Sequence, residues 1–128
     1  KERNVDHSNG FLNLVQDAKS RIRETTPEEV RDKQERGDPF SLVDVREDSE
    51  WEKGHADGAI HLGKGIIERD VEKVIPDKSA EVVLYCGGGF RSALAADALQ
   101  KMGYRNVISM DGGWKRWKGL GYPVTEGK

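Results

Sequence analysis

The chain has 128 residues, a length typical of one domain, and such a chain buries roughly two thirds of its unfolded surface in a single core. Lysine and arginine total 21 and aspartate and glutamate total 23, which leaves a formal charge of −2. A nucleic-acid-binding surface would need a basic excess, so nucleic acid is not expected as a partner. No apolar run reaches the roughly 18 residues of a membrane span, and the first residues do not resemble a signal peptide. The expected location is the cytoplasm, with no membrane partner.

Cys86 is the single cysteine of the chain, and this count limits the chemistry. An intramolecular disulfide is excluded. One thiol and three scattered histidines do not make a four-ligand zinc site, so no metal and no other cofactor is expected. Cys86 is therefore either an inert core thiol or a reactive one.

The first predicted element is an amphipathic helix near the N-terminus. Apolar residues recur at positions 11, 14, 15, 18 and 22, which is a helical spacing, and Ser8 or Asn9 is a suitable start. We expect its apolar stripe to pack on the domain's own surface, with self-association as the alternative. A second helix is predicted after Thr26, with a capping box completed by Glu29, and Gly37 as its end.

Short apolar segments then alternate with helical ones. Strands are predicted at residues 40–45, 59–62, 81–85 and 106–110, and helices at 48–53, 66–74, 92–102 and 114–118. The segment 81–85 is too apolar to face water on either side, as is typical of a central parallel strand. This alternation predicts an α/β domain with a mainly parallel sheet and helices on both faces.

A glycine-rich loop follows the 81–85 strand, at the end of the sheet where ligands bind in open α/β folds. The loop reads Cys86-Gly87-Gly88-Gly89-Phe90-Arg91, and Ser92 caps or opens the next helix. Loop amides and a helix N-terminus favour a thiolate at Cys86, and Arg91 adds a cation. The glycines allow positive φ and a close approach of a bound group. We predict Cys86 as the nucleophile, residues 87–91 as the substrate-binding loop, and Phe90 at the mouth, where it meets an acceptor.

The length of the loop distinguishes sulfur from phosphorus chemistry. Four residues separate Cys86 from Arg91, whereas the similar loop of protein tyrosine phosphatases has five and wraps a phosphoryl group. The loop here lacks one peptide, about 3.8 Å of contour, and Tyr85 stands where phosphatases usually have a histidine. This favours a single extra sulfur atom on the cysteine. A phosphatase or an arsenate reductase that uses the same loop is the alternative.

Four motifs in order resemble the rhodanese-like family, from about Thr26 to Val124. They are residues 42–47, 54–60, 85–92 and 112–114, the last followed by Trp117. The resemblance implies one rhodanese-like domain at residues 26–124, with an N-terminal helical extension at 1–25 and a C-terminal tail at 125–128. It also implies a sulfurtransferase of the thiosulfate:cyanide type, in which Cys86 carries a persulfide between a sulfur donor and a thiophilic acceptor.

The partners that the resemblance implies are a small anionic sulfur donor or a protein persulfide, and a thiol acceptor. Thiosulfate-using members tend to carry basic residues directly after the cysteine, where this chain has Gly87 and Gly88. A persulfide donor is therefore as reasonable as thiosulfate. A non-catalytic recognition module of the same fold is a further alternative, although such modules often lose the cysteine.

Asp44, at the end of a buried strand, is predicted by the resemblance to support the active loop together with Ser92. The alternative is a plain ion pair of Asp44 with Arg46 or another base. Arg46 is also expected to pair with Glu50 in a structural role. Two histidines and two tryptophans are expected to be structural rather than catalytic: His55, His61, Trp114 and Trp117.

Overall fold

The structure is a computed structural model that describes residues 7–127. The first elements are α1 (Asn9–Lys19), β1 (Arg23–Thr25), α2 (Pro27–Arg36), β2 (Ser41–Asp44), α3 (Asp48–Lys53), β3 (His55–Ala56) and β4 (Ile60–His61). The chain continues with α4 (Ile67–Val74), β5 (Val82–Tyr85), α5 (Phe90–Lys101), β6 (Val107–Met110), α6 (Gly113–Gly119) and β7 (Val124–Thr125). Every predicted helix and strand is present, with its ends shifted by a few residues.

Five parallel strands form the main sheet, in the order β1-β6-β5-β2-β4. The predicted central strand β5 lies between β6 and β2, and all four of its residues are buried. Asp44 at the end of β2 is in register with Tyr85 at the end of β5. The segments that follow these two strands therefore leave the same edge of the sheet.

Each face of the sheet carries its own hydrophobic core. Val71 of α4 and Leu99 of α5 pack on one face, together with alternate residues of β2 and β5. Val30 of α2 and Trp117 of α6 pack on the other. Trp117 is fully buried, and its Nε1–H donates to the carbonyl oxygen of Pro123 at 2.8 Å, in agreement with its predicted core role. Helices on both faces of a parallel sheet confirm the predicted α/β fold.

The N-terminal helix α1 packs on α5, as the sequence predicts. Val15 and Ala18 are buried, and Arg21 just after the helix binds Asp97 of α5 at 2.9 Å. Leu14 is 56% exposed and faces away from this contact. The centre of the apolar stripe, at Val15 and Ala18, is therefore covered within the same chain, while Leu14 is not.

Three strands were not predicted. β1 is a polar edge strand that pairs with β6, and β3 and β7 are two-residue strands that pair antiparallel with each other. Their partners are distant in sequence, so no local pattern indicates them. The domain boundaries at residues 26 and 124 stay predictions, and residues 1–6 and 128, which belong to the predicted flanking segments, lie outside the described residues.

The second helix has the predicted cap at each end, but only half of the predicted capping box. The side chain of Thr26 accepts from the backbone N–H of Glu29 at 3.2 Å, and Gly37 ends the helix in the left-handed conformation, φ +75°. The carboxylate of Glu29 accepts from the hydroxyl of Thr25 at 2.5 Å. The second hydrogen bond of the predicted capping box, from the backbone N–H of Thr26 to the Glu29 side chain, was therefore wrong. Within residues 7–127, no helix is both long and apolar enough to cross a membrane.

Candidate active site

Cys86 lies directly after β5, and its side chain is held by the start of α5. The residue is 1% exposed, and its Sγ accepts hydrogen bonds from the backbone N–H groups of Gly89 at 3.1 Å and Ser92 at 3.4 Å. Both donors belong to the N-terminal end of α5, where the helix dipole places partial positive charge. The surroundings of the sulfur therefore stabilise negative charge on it.

Four more amides of the loop are available to a bound group. The backbone N–H groups of Gly87, Gly88, Phe90 and Arg91 donate to no acceptor among the described residues. All four residues line the cleft that opens at Cys86. Successive backbone amides without an internal acceptor can bind an anion at such a loop.

The carbonyl groups of the same loop are bound by the start of α6. The N–H of Trp114 donates to Cys86 O at 2.8 Å, and the N–H of Lys115 donates to Gly87 O at 3.1 Å. The carbonyl of Gly88 accepts more weakly, from Gly112 at 3.3 Å. The sequence motif at residues 112–114 thus shapes the cysteine loop, a connection that sequence analysis did not make.

The three loop glycines are not equivalent, which corrects the expectation that all of them serve positive φ. Gly89 has φ +112°, and a Cβ there would lie 2.9 Å from Oδ1 of Asp111. Gly88 has an ordinary φ, is exposed and has open space where a Cβ would stand. Gly87 also has an ordinary φ, and a Cβ there would lie 3.2 Å from Nη2 of Arg91. Glycine is required most strongly at Gly89.

Ser92 lies inside the first turn of α5 and is not its cap, because the helix begins after Gly89. The Cys86 Sγ lies 3.6 Å from Ser92 Oγ, which lies 2.8 Å from Ser109 Oγ in β6. Both serines are fully buried. This pair of hydroxyls can accept from a thiol or turn to donate to a thiolate. Ser109 was missed, and its only signal is a polar residue within an apolar strand.

The Arg91 guanidinium points to Glu50 of α3. Nη1 and Nη2 of Arg91 donate to the two carboxylate oxygens at 2.9 and 3.3 Å. This contact raises the pKa of Arg91, and in turn it lowers the pKa of Glu50 below its usual range. The expected pair between Arg46 and Glu50 was wrong. Glu50 is a site residue that sequence analysis missed.

Asp44 is fully buried and binds Arg46 through side chain and backbone. Arg46 donates from Nη2 at 2.8 Å and from its backbone N–H at 2.9 Å, and Nη2 also reaches the carbonyl of Gly54 at 2.6 Å. The ion pair that was the alternative interpretation is therefore present. The guanidinium carbon of Arg46 also lies 4.7 Å from the ring centroid of Trp114, the residue that binds the Cys86 carbonyl. Support of the loop by Asp44 stays a prediction, and this contact is the path by which it would act.

The two histidines and Tyr85 have structural contacts. The ring of His55 stacks on Trp51 at 3.4 Å and contacts the Trp51 carbonyl, while His61 Nε2 lies 2.8 Å from the Arg46 carbonyl. The Tyr85 hydroxyl accepts from the backbone N–H of Ala56 at 2.9 Å, and burial together with the Asp44 carboxylate raises the pKa of Tyr85. These contacts agree with the structural roles predicted for the two histidines.

A cleft of about 930 Å³ opens at Cys86. Glu50, Lys115 and residues of the loop, including Phe90, line part of it, and the place of Phe90 at the mouth stays a prediction. His7, Ser8 and Phe11, from the N-terminal segment, also line it and were not predicted. Within residues 7–127, no group of three or more histidine, cysteine, aspartate or glutamate side chains comes together to hold a metal ion.

Comparison with known proteins agrees with this geometry. The family model of the rhodanese-like domain matches residues 26–120. The chain belongs to the rhodanese-like domain family. The putative sulfurtransferase YtwF of Bacillus subtilis is 33% identical over 98 residues, which cover 77% of this chain and 92% of YtwF.

Two further relatives extend the comparison. The probable adenylyltransferase/sulfurtransferase MoeZ of Mycobacterium tuberculosis is 38% identical over 72% of this chain, and this rhodanese-like chain spans about a quarter, 24%, of the length of MoeZ. The structure of RPA3614 from Rhodopseudomonas palustris, a protein of unknown function described as a possible tyrosine phosphatase, aligns with a TM-score of 0.84. It is 25% identical and covers 98% of this chain and 99% of its own. That likeness includes the N-terminal helix.

Proposed function

We propose that this rhodanese-like domain is a sulfurtransferase that carries sulfane sulfur as a persulfide on Cys86. The observation that carries the proposal is that backbone amides at the start of α5 donate to the Cys86 sulfur. Two amides already donate to Sγ, and four more in the same loop have no acceptor among the described residues. Such a cradle suits a terminal sulfur anion, and it stabilises that charge as an oxyanion hole does. The names of the sulfurtransferase relatives support the same activity.

The reaction has two displacements. The Cys86 thiolate attacks the outer sulfur of an anionic donor, such as thiosulfate or a persulfide. The sulfur–sulfur bond of the donor breaks, sulfite or a thiolate leaves with the electron pair, and a new bond joins Sγ to the transferred sulfur. A deprotonated thiol or cyanide then attacks that outer sulfur and returns the electron pair to Sγ. No proton moves when the acceptor arrives as an anion.

The residues around Cys86 have separate roles in this scheme. The loop amides hold the persulfide, and the hydroxyls of Ser92 and Ser109 adjust to its charge. Arg91 orients the donor, but Glu50 already neutralises much of its charge. Lys115 is a further cation in the lining of the cleft. This charge balance favours a singly charged donor over the dianion thiosulfate.

Mass spectrometry tests the proposal most directly. Incubation of the full chain with thiosulfate, mercaptopyruvate or glutathione persulfide should add about 32 Da to the peptide that contains Cys86. Cys86→Ser should carry no adduct and should form no thiocyanate from thiosulfate and cyanide. Absence of both adduct and product with all three donors would favour the non-catalytic recognition module.

A phosphatase or arsenate reductase is the alternative chemistry, and the description of RPA3614 gives it a specific basis. The short spacing from Cys86 to Arg91 argues against it, because a phosphoryl group needs a wider ring of amides. Wild-type protein should not hydrolyse p-nitrophenyl phosphate or reduce arsenate. Turnover that is lost in Cys86→Ser would support the phosphorus or arsenic reaction instead.

A further inference from the structure

The N-terminal segment provides one side of the active-site cleft. His7 and Phe11 line the cleft with Phe90 of the cysteine loop, although both lie outside the matched residues 26–120. The ring centroid of His7 lies 4.9 Å from that of Phe90 and 5.1 Å from that of Phe11, and the two phenylalanine rings are 6.2 Å apart. We call these three side chains the aromatic wall.

The aromatic wall is held in position by the cap and the packing of α1. Ser8 caps α1 by accepting from the N–H of Phe11 at 3.2 Å. The buried residues Val15 and Ala18 fix α1 on α5, the helix that begins with Phe90. The wall therefore has a defined place relative to Cys86.

The rest of the cleft lining is polar. Lys115, Arg91 with its partner Glu50, and the residues of the free loop amides lie there with Cys86. The cleft thus combines an anion-binding end with an aromatic surface, whose three rings are inclined to one another by 42° to 62°. Its volume of about 930 Å³ is within the range of sites for small organic ligands and far exceeds the few heavy atoms of thiosulfate.

We propose that the aromatic wall selects an organic sulfur donor, one with an anionic reactive sulfur and an aromatic body that packs against the inclined rings. The proposal rests on the sulfurtransferase function above. With benzenethiosulfonate as the probe, the Cys86 thiolate attacks the outer sulfur and the sulfur–sulfur bond of the probe breaks. Benzenesulfinate leaves with the electron pair, and the persulfide forms on Cys86. Ring-to-ring contacts with the wall favour benzenethiosulfonate over methanethiosulfonate, which has no ring.

The test compares benzenethiosulfonate with methanethiosulfonate, which has the same reactive group and charge but no ring. Thiocyanate formation with cyanide gives kcat/KM for each donor. The ratio compared is kcat/KM for benzenethiosulfonate divided by kcat/KM for methanethiosulfonate. Phe11→Ala and His7→Ala should each lower this ratio roughly fivefold. His7→Phe should keep the ratio, because it retains a ring. Leu14→Ala is the matched control on the same helix, since Leu14 is 56% exposed and faces away.

A second measurement separates failure of this inference from failure of the proposed function. Calorimetry of Cys86→Ser with benzenethiosulfonate reports binding without turnover, and adding His7→Ala should weaken that binding by a similar factor. Equal ratios and equal affinities in the wall variants would overturn the selection while leaving sulfur transfer intact. Absence of transfer from every donor, with binding still dependent on His7, would overturn the function alone. His7 is exposed, so its replacement tests the wall even where Phe11→Ala unfolds.

Discussion

The backbone N–H of Trp114 donates a 2.8 Å hydrogen bond to the carbonyl oxygen of Cys86. The nucleophile's loop is therefore shaped by α6 as well as by β5. Because the start of α6 binds the carbonyl groups of Cys86 and Gly87, the N–H groups of the loop are left free to bind sulfur. Gly113 makes this contact possible, since a Cβ at that position would overlap the Cys86 carbonyl oxygen and the backbone of Gly87.

Gly113→Ala should therefore be strongly destabilising. The added Cβ meets backbone rather than a mobile side chain, and φ is +53°, so we expect a loss of about 2–4 kcal/mol in the free energy of unfolding. Urea denaturation measures it. Gly10→Ala is the matched control, because Gly10 lies in α1 and a Cβ at this position would meet nothing within 4 Å. It should be neutral or stabilising by up to about 1 kcal/mol. Equal stability of the two variants would contradict the contact.

Glu50→Gln should improve the use of thiosulfate. In the wild type, the Glu50 carboxylate accepts from the backbone N–H of Glu47 at 2.9 Å, and the amide oxygen of a glutamine can still do so. The negative charge that neutralises Arg91 is lost. We expect KM for thiosulfate to fall several-fold, and KM for the monoanion methanethiosulfonate to fall less. Glu52→Gln, on the exposed side of the same helix, is the control. An unchanged KM for thiosulfate would mean that Glu50 does not limit the field of Arg91.

Gly88→Lys should also lower KM for thiosulfate. Position 88 is exposed, has an ordinary φ and has open space for a side chain, so a lysine adds positive charge at the mouth without strain. The gain should shrink as salt is raised, because exposed charges are screened. Gly88→Gln provides similar length without charge and should not show a salt-dependent gain. Equal KM values for the two variants would argue against an electrostatic role at this position.

The attachment of α1 should weaken in acid. Arg21 lowers the pKa of Asp97 in the folded protein below its usual value of 3.8. The ion pair therefore contributes its full stabilisation of the fold above pH 3.8, and this contribution is lost as the pH falls through the lowered pKa of the folded state. Wild-type stability should therefore fall more steeply below about pH 4 than that of Asp97→Asn. Unfolding free energies between pH 6 and pH 2 measure the difference. Parallel curves would show that the Asp97 pair contributes nothing to stability.

The sequence was sufficient for the elements whose signal is local. Alternating apolar segments located the four main strands, and the run of glycines after the 81–85 strand located the cysteine loop. The caps at Thr26 and Gly37 were also readable, since capping depends on residues within one turn.

Long-range contacts could not be derived in the same way. The three polar residues of β1 become a strand only because β6 offers an open edge, and the contact of Arg91 with Glu50 spans 41 positions. The contact between α6 and the loop passes through backbone atoms, which leave no mark in side-chain chemistry. His7 reaches the cleft only because α1 docks on α5.

The place of β1 at the border of the main sheet has a practical consequence for fragments of this chain. A fragment that begins at residue 26, where the family match begins, would lack β1 and uncover the backbone hydrogen-bonding groups along β6. β6 consists of four buried residues, Val107–Met110, and an uncovered apolar strand is a template for pairing with another copy. Such a fragment is an aggregation hazard, because the three polar residues of β1 shield this edge of the sheet from pairing with another copy.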